Sequence, residues 1–204
     1  MDKRMRITES TLRQLISEVI ASELSSRTAA GSRKLRVFDF DDTLVRTRSF
    51  VRLRKPGSDV VQMTPAEYAK YTPAPEDELD FEDFKQLNDP REISWTLNIL
   101  RSVVRSGGDA YILTARGPEA RPHIEEFLSK VGIPGIEVVT LGDSNPMMKA
   151  LHVADRVRKN GYDLVEFFDD SEKNVRAVER VVRERFPQVK VIGRHIEHRA
   201  PSPY

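Results

Sequence analysis

Apolar and polar positions change period along this chain, and the changes divide it. Over 7–24, Leu12, Leu15, Ile16, Val19 and Ile20 fall at helical spacing with Arg13, Gln14, Ser17 and Glu18 between them, which predicts an amphipathic helix. The small, polar run 25–32 predicts a flexible linker, so the main domain is expected to begin near Arg33. A buried strand is predicted over 35–40, followed by β-like alternation over 45–55, a break at Pro56-Gly57-Ser58-Asp59, and resumption at 60–63, together a hairpin. Thr64-Pro65-Ala66-Glu67 carries an N-cap threonine, a proline at the first helical position and a glutamate completing a capping box, which predicts a short helix to about Tyr71. The proline- and acid-rich stretch 72–90, with Phe81 and Phe84 as anchors, reads as an irregular excursion. Residues 45–92 are therefore expected to form a small cap.

From 93 onward the periods alternate. Helices are predicted over 93–106, 119–131, 146–159 and 172–185, and strands over 110–113, 136–140, 164–168 and 189–192. Regular succession of strand and helix implies a parallel sheet covered on both faces, a doubly wound, Rossmann-like α/β domain over 33–196 with 197–204 as a tail. Sheets of this kind bind ligands beyond the carboxyl ends of their strands. The polar clusters of the chain fall at those ends.

The first cluster is Asp39-Phe40-Asp41-Asp42-Thr43, directly after the apolar start of the first strand. Three carboxylates so close together repel one another and are costly to desolvate, and a divalent cation such as Mg²⁺ compensates. On an extended chain Asp39 and Asp41 project to one side, where one carboxylate can attack and the other transfer protons. The second cluster, Thr114-Ala115-Arg116-Gly117, offers a hydroxyl, turn amides and a guanidinium, an anion-binding set. In the third, Lys149 opens a helix after Gly142-Asp143-Ser144-Asn145-Pro146. In the fourth, Asp169-Asp170-Ser171 ends another core strand with a second acidic pair suited to a metal.

Those four clusters, in this order over 35–192, resemble the motifs of the haloacid dehalogenase-like superfamily, whose phosphatases carry an Asp-x-Asp-x-Thr or -Val signature. The resemblance implies roles residue by residue. Asp39 would attack phosphorus to give an aspartyl-phosphate, and Asp41 would protonate the leaving oxygen and then activate water. Mg²⁺ would be held by Asp39, the Asp41 backbone carbonyl and Asp169, with Asp170 as a further or outer contact, and Thr114 and Lys149 would hold phosphate oxygens, Arg116 being the further candidate there. The family's dehalogenase branch lacks the second aspartate and its transport ATPases have threonine there, so Asp41 points to phosphoryl transfer onto water.

Twofold alternation over 45–54 puts Arg46, Arg48, Phe50, Arg52 and Arg54 on one face of the first hairpin strand and Val45, Thr47, Ser49, Val51 and Leu53 on the other. Four guanidiniums around an aromatic suit a phosphate backbone and a stacked base; the plain alternative is a solvated face paired with the acidic 76–83 segment. A hairpin at this place in the resembling family overlies the active-site mouth, which favours polynucleotide or nucleotide phosphate ends, substrates of enzymes similar to the phosphatase half of polynucleotide kinase-phosphatase. A small phosphorylated metabolite, or a phosphate- or nucleic-acid-binding module without turnover, are the alternatives. No Walker-type Gly-x-x-x-x-Gly-Lys loop is present.

Bulk properties narrow the picture only a little. The 204 residues suit one domain with an insertion, and a net charge of +1 makes any basic surface local. The absence of cysteine excludes disulfides and thiolate chemistry and is compatible with a reducing compartment. No apolar run approaches a membrane span, so the cytoplasm is the expected location. The N-terminal helix is expected either to pack on the domain or to dock a protein partner or a second copy. The opening Met5-Arg6-Ile7-Thr8-Glu9-Ser10 is similar to leaders of phage-encoded proteins.

Overall fold

The structure, a computed structural model, describes residues 33–68 and 71–197 together with Gln14, Ser17 and Glu18. The rest of the predicted N-terminal helix and linker, and the tail beyond Glu197, lie outside the described residues. Gln14, Ser17 and Glu18 are helical and exposed, in keeping with their place on the polar face of the predicted helix, and Gln14 Nε2 donates to Glu18 Oε1 one turn on (2.9 Å).

Five parallel strands make the central sheet: β1 (Lys34–Phe38), β7 (Asp109–Thr114), β8 (Glu137–Thr140), β9 (Leu164–Asp169) and β10 (Lys190–His195), in the spatial order β10-β9-β1-β7-β8. The crossovers are α2 (Ser94–Arg105), α3 (Arg121–Lys130), α4 (Pro146–Asn160) and α5 (Glu172–Arg185). The predicted elements recur within a few residues of their expected ends. Alternation along the strands sorts their side chains to the two helical layers. Leu35, Val37, Tyr111, Leu113, Val165 and Phe167 pack with Val153, Val157, Val178 and Val182 of α4 and α5. Phe38, Ile112 and Phe168 face the other way, against Leu97, Leu100, Ile124 and Leu128 of α2 and α3. With β1 in the middle and the chain passing first to one side of it and then to the other, the sheet has its switch point at the carboxyl end of β1.

The insertion between β1 and α2 leaves and re-enters the core through a neck of two short antiparallel strands, β2 (Val45–Arg46) and β6 (Arg91–Glu92), with Val45 opposite Glu92. Beyond the neck, β3 (Val51–Arg54) lies between β4 (Val61–Met63) and β5 (Glu78–Asp80) in an antiparallel sheet. Val51, Leu53 and Met63 form its small core, with Tyr68, Tyr71, Leu79 and Phe84 against them. The hairpin over 51–63 matches the expectation, but the single strand expected over 45–55 is interrupted at 47–50, and β5 is an element that sequence periodicity did not announce. Thr64 and Glu67 form the capping box of α1 (Pro65–Tyr68): Thr64 N donates to Glu67 Oε2 (2.7 Å) and Glu67 N to Thr64 Oγ1 (3.3 Å). Of the two expected anchors Phe84 packs on the cap core, whereas Phe81 is exposed and meets Tyr68 edge-on. Among the described residues no helix is long and apolar enough to cross a membrane.

Candidate functional site

The site is built at the carboxyl ends of β1, β7 and β9. The ladder continues one residue beyond β1, with Asp39 N donating to Phe168 O (2.8 Å), so Asp39 and Asp169 emerge side by side from the two central strands. The chain then turns sharply. Asp42 takes a left-handed conformation (φ 51°), one that aspartate tolerates better than most residues, and Leu44 N and Val45 N both bond back to Phe40 O. The chain bends at Phe40, between Asp39 and Asp41, and is not extended across the pair as expected, so the two carboxylates diverge, Asp39 to Lys149 of α4 and Asp41 to Arg116 and Thr47.

Lys149, in the first turn of α4, is buried and reaches both central acids. Its Nζ lies 2.6 Å from Asp39 Oδ1 and 2.8 Å from Asp169 Oδ2. Asn145 sets the start of that helix, its side chain accepting from Met147 N at 3.0 Å, with Pro146 at the first helical position. Asp169 is fully buried and also accepts from Ser171 N (2.8 Å) and from Asn174 Nδ2 (3.0 and 3.1 Å). Thr43 links the two acidic clusters: its hydroxyl donates to Asp39 Oδ2 (3.3 Å) and accepts from Asp170 N (3.1 Å). His195 Nε2 and the Asp170 carbonyl lie 2.7 Å apart.

Asp39, Asp169 and Asp170 each offer a carboxylate oxygen within 4.8 Å of the others. Three carboxylates against the single Lys149 ammonium leave a formal charge of −2 when all are ionised. The Asp170 carboxylate accepts no hydrogen bond from any described residue. Burial raises Asp39 to about 7, with Lys149 opposing and Asp169 and Asp41 adding to the rise. Burial and the charges of Asp39, Asp169 and Asp42 raise Asp170 to about 8. On Lys149 burial works against the charge, but Asp169 and Asp39 outweigh it and hold the ammonium above its ordinary range. Hard oxygen donors, a deficit of two positive charges and a carboxylate without a donor fit a divalent cation such as Mg²⁺.

Asp41 and Arg116 form a separate pair. Arg116 Nε and Nη2 donate side by side to the Asp41 carboxylate at 2.8 and 2.7 Å, and the Arg116 side chain is buried. The Asp41 carboxylate is thus not in the triad that faces the cation position, although its charge still reaches Asp39. Thr114, at the end of β7, accepts from Arg116 N (3.2 Å) and keeps its own O–H to donate. Every N–H of the Arg116 guanidinium meets a protein acceptor, which leaves none to receive a phosphate.

The arginine face of the cap is dispersed. Arg52 lies beside Asp83 (2.6 Å) and Asp80 (3.4 Å), and Arg54 stands opposite Glu78 across β3 and β5. Arg46 pairs across the neck with Arg91, itself 3.1 Å from Asp89. Phe50 is half-buried, its N–H bonded to Asp83 Oδ2 at 3.2 Å. Arg46 and Arg48 are exposed on the side of the chain opposite Thr47 and Ser49, and it is Thr47 and Ser49 that face Asp41 and Arg116. Thr47, Ser49, Thr43 and Asn174 thus join the site without a role assigned from sequence. A signal existed for the first two, since they are hydroxyls at the inward parity of an otherwise apolar alternation. No protein-family model matches the chain, and no curated protein matches it.

Proposed function

We propose that this protein is a Mg²⁺-dependent phosphomonoester hydrolase of the haloacid dehalogenase type, working through an aspartyl-phosphate on Asp39. The observation that carries the proposal is the Lys149 ammonium held between Asp39 and Asp169, with Asp170 alongside and lacking a donor, at the carboxyl ends of the two central strands. Asp39, Asp169 and Asp170 would hold the cation, which when bound neutralises charge on the phosphoryl oxygens. An Asp39 oxygen attacks phosphorus as the bond to the leaving oxygen breaks, and Asp41 gives that oxygen its proton. Asp41 then takes a proton from water as the water oxygen attacks phosphorus, which frees phosphate and restores the Asp39 carboxylate. Lys149 and the Thr114 hydroxyl bind phosphate oxygens, their charge and dipole already in place before the reaction begins.

Polynucleotide or nucleotide phosphate ends are the substrate class this proposal puts first, supported by exposed Arg46 and Arg48 at the neck of the cap. A small phosphorylated metabolite is the second reading, favoured by the acids already set against Arg52 and Arg54. A cytoplasmic setting belongs to the same proposal, supported by the cysteine-free sequence. The test is phosphate release, with and without Mg²⁺, from 3′- and 5′-phosphorylated oligonucleotides, mononucleotides, sugar phosphates and an aryl phosphate, with Asp39→Asn protein as control. Mg²⁺-dependent release that vanishes in Asp39→Asn supports the chemistry, and the preferred ester fixes the substrate class. Release from none of them would overturn the proposal in favour of a phosphate-binding module.

A further inference from the structure

Arg116 binds more of this molecule together than any phosphate ligand would. Two of its donors take the Asp41 carboxylate as a planar, bidentate pair at 2.8 and 2.7 Å. The others go to the cap. Nη1 donates to the carbonyls of Phe84 and Gln86, each at 2.8 Å, and Nη2 to the hydroxyls of Thr47 (3.0 Å) and Ser49 (3.2 Å). The Phe84 ring lies 5.2 Å from the guanidinium carbon. Thr47 closes the arrangement by donating to Asp41 Oδ1 (3.2 Å), and Gly142 N fixes the backbone behind it through Arg116 O (3.0 Å). The cap acceptors come from both of its limbs, 47–49 on the way out of the core and 84–86 on the way back.

Resting on the phosphatase reading, we infer that Arg116 is a positioning residue that aims the Asp41 carboxylate and docks the cap in one act, so that seating of the cap and acid–base competence are a single unit. A planar fork matches a carboxylate and two carbonyls simultaneously, which a lysine ammonium does not reproduce. Undocking the cap would strand a buried guanidinium away from its acceptors, so the cap stays seated through turnover and the rim of the mouth is fixed. Substrates are then selected by what enters a standing aperture and not by closure around them.

The experiment compares an alkyl phosphate with an aryl phosphate of an acidic phenol. An alkoxide leaves only when protonated, whereas such a phenolate departs with little help, so the ratio of the two rates reads the aim of Asp41. Arg116→Gln is expected to lower kcat/KM for the alkyl ester about a hundredfold and for the aryl ester less than about tenfold, with inhibition by inorganic phosphate unchanged. Thr47→Val combined with Ser49→Ala, which touches neither the Lys149 ion pairs nor the three grouped aspartates, should move the ratio in the same direction by a smaller factor. Amide hydrogen exchange in 45–53 and 82–92 should quicken in Arg116→Gln and in Arg116→Lys. Equal losses on both esters with weaker phosphate inhibition would make Arg116 a phosphate ligand and overturn the inference. Unchanged exchange in the cap would overturn it as well, and because exchange needs no turnover, that result is decisive even if wild-type protein hydrolyses nothing and the phosphatase reading falls by itself.

Discussion

Replacing Lys149 by methionine removes one charge, keeps most of the side-chain volume, and tests the electrostatics at the centre of the site. The ammonium is 4% exposed and is shared by Asp39, 7% exposed, and Asp169, fully buried, at 2.6 and 2.8 Å. Stranding a buried charge by removing its partner costs about 3–5 kcal/mol, and here two carboxylates share one partner, which places the loss at the upper end of that range. With a urea slope of about 2 kcal/mol per molar, the unfolding midpoint should fall by about 2–2.5 M. The loss should depend on pH. Lys149 is what draws Asp39 back towards its ionised form, so without it the carboxyls hold their protons more tightly and the penalty shrinks on the acid side. The assay is urea denaturation of wild-type and Lys149→Met protein in chelator at about pH 5 and about pH 8.5, then with Mg²⁺ at the higher pH, where the cation should return part of the loss. A midpoint lowered by less than about 0.5 M, or by the same amount at both pH values, would refute the reasoning.

Three further outcomes are expected. Asp39 and Asp170 rise from 3.8 to about 7 and about 8, so between those limits the folded protein holds protons that the unfolded chain releases. Stability in chelator should therefore fall as pH rises through about 4 to 8, and Mg²⁺ should flatten the slope; a stability in chelator that rises over that window would contradict the burial of these groups. Thr43→Val keeps the shape of a fully buried side chain but leaves Asp170 N–H without its acceptor, for an expected loss of about 1–3 kcal/mol together with a drop in turnover; chemical denaturation and a rate assay check both. Arg48→Glu should slow hydrolysis of phosphorylated oligonucleotides at low salt while sparing a small aryl phosphate, and equal rates on both would remove the nucleic-acid substrates from consideration.

The sheet was legible because its signals are long and repeated. Apolar runs such as Val165-Glu166-Phe167-Phe168, each followed by an amphipathic helix, leave few arrangements other than parallel strands with crossovers. The positions of Asp39, Thr114 and Asp169 were legible for a related reason, since each is a polar residue at the point where a core strand runs out. Partner choice was not legible. Arg116 reads as a free guanidinium beside a phosphate site, and only the folded cap shows that Phe84 O, Gln86 O, Thr47 and Ser49 converge on it from segments far apart in sequence. Alternation over 45–54 gave the right parity of exposure but not the break at 47–50, because a strand that loses its ladder partner for a few residues keeps the same inward and outward pattern. Strand β5 carries one apolar residue, Leu79, between two acids, too little for a period to register. Asn174 bonds Asp169 from the first turn of α5, and a lone amide on a helix gives no pattern at all.

The neck of the cap bears on how such a molecule can change over time. Because Val45 and Glu92 are direct partners, and Ile93 N returns to Leu44 O at 2.9 Å, the core sees everything between them as one long hairpin loop. The entropy of closing a loop grows only slowly with its length, so residues 46–91 can be lengthened, shortened or exchanged at little expense to the sheet. Heritable variation can thus accumulate in one segment while the acids at the strand ends keep their geometry. The guanidinium beneath limits that freedom. A transplanted cap serves this core only if it brings hydroxyls and carbonyls to the same places, so Arg116 works as a compatibility check between two parts that can otherwise diverge independently.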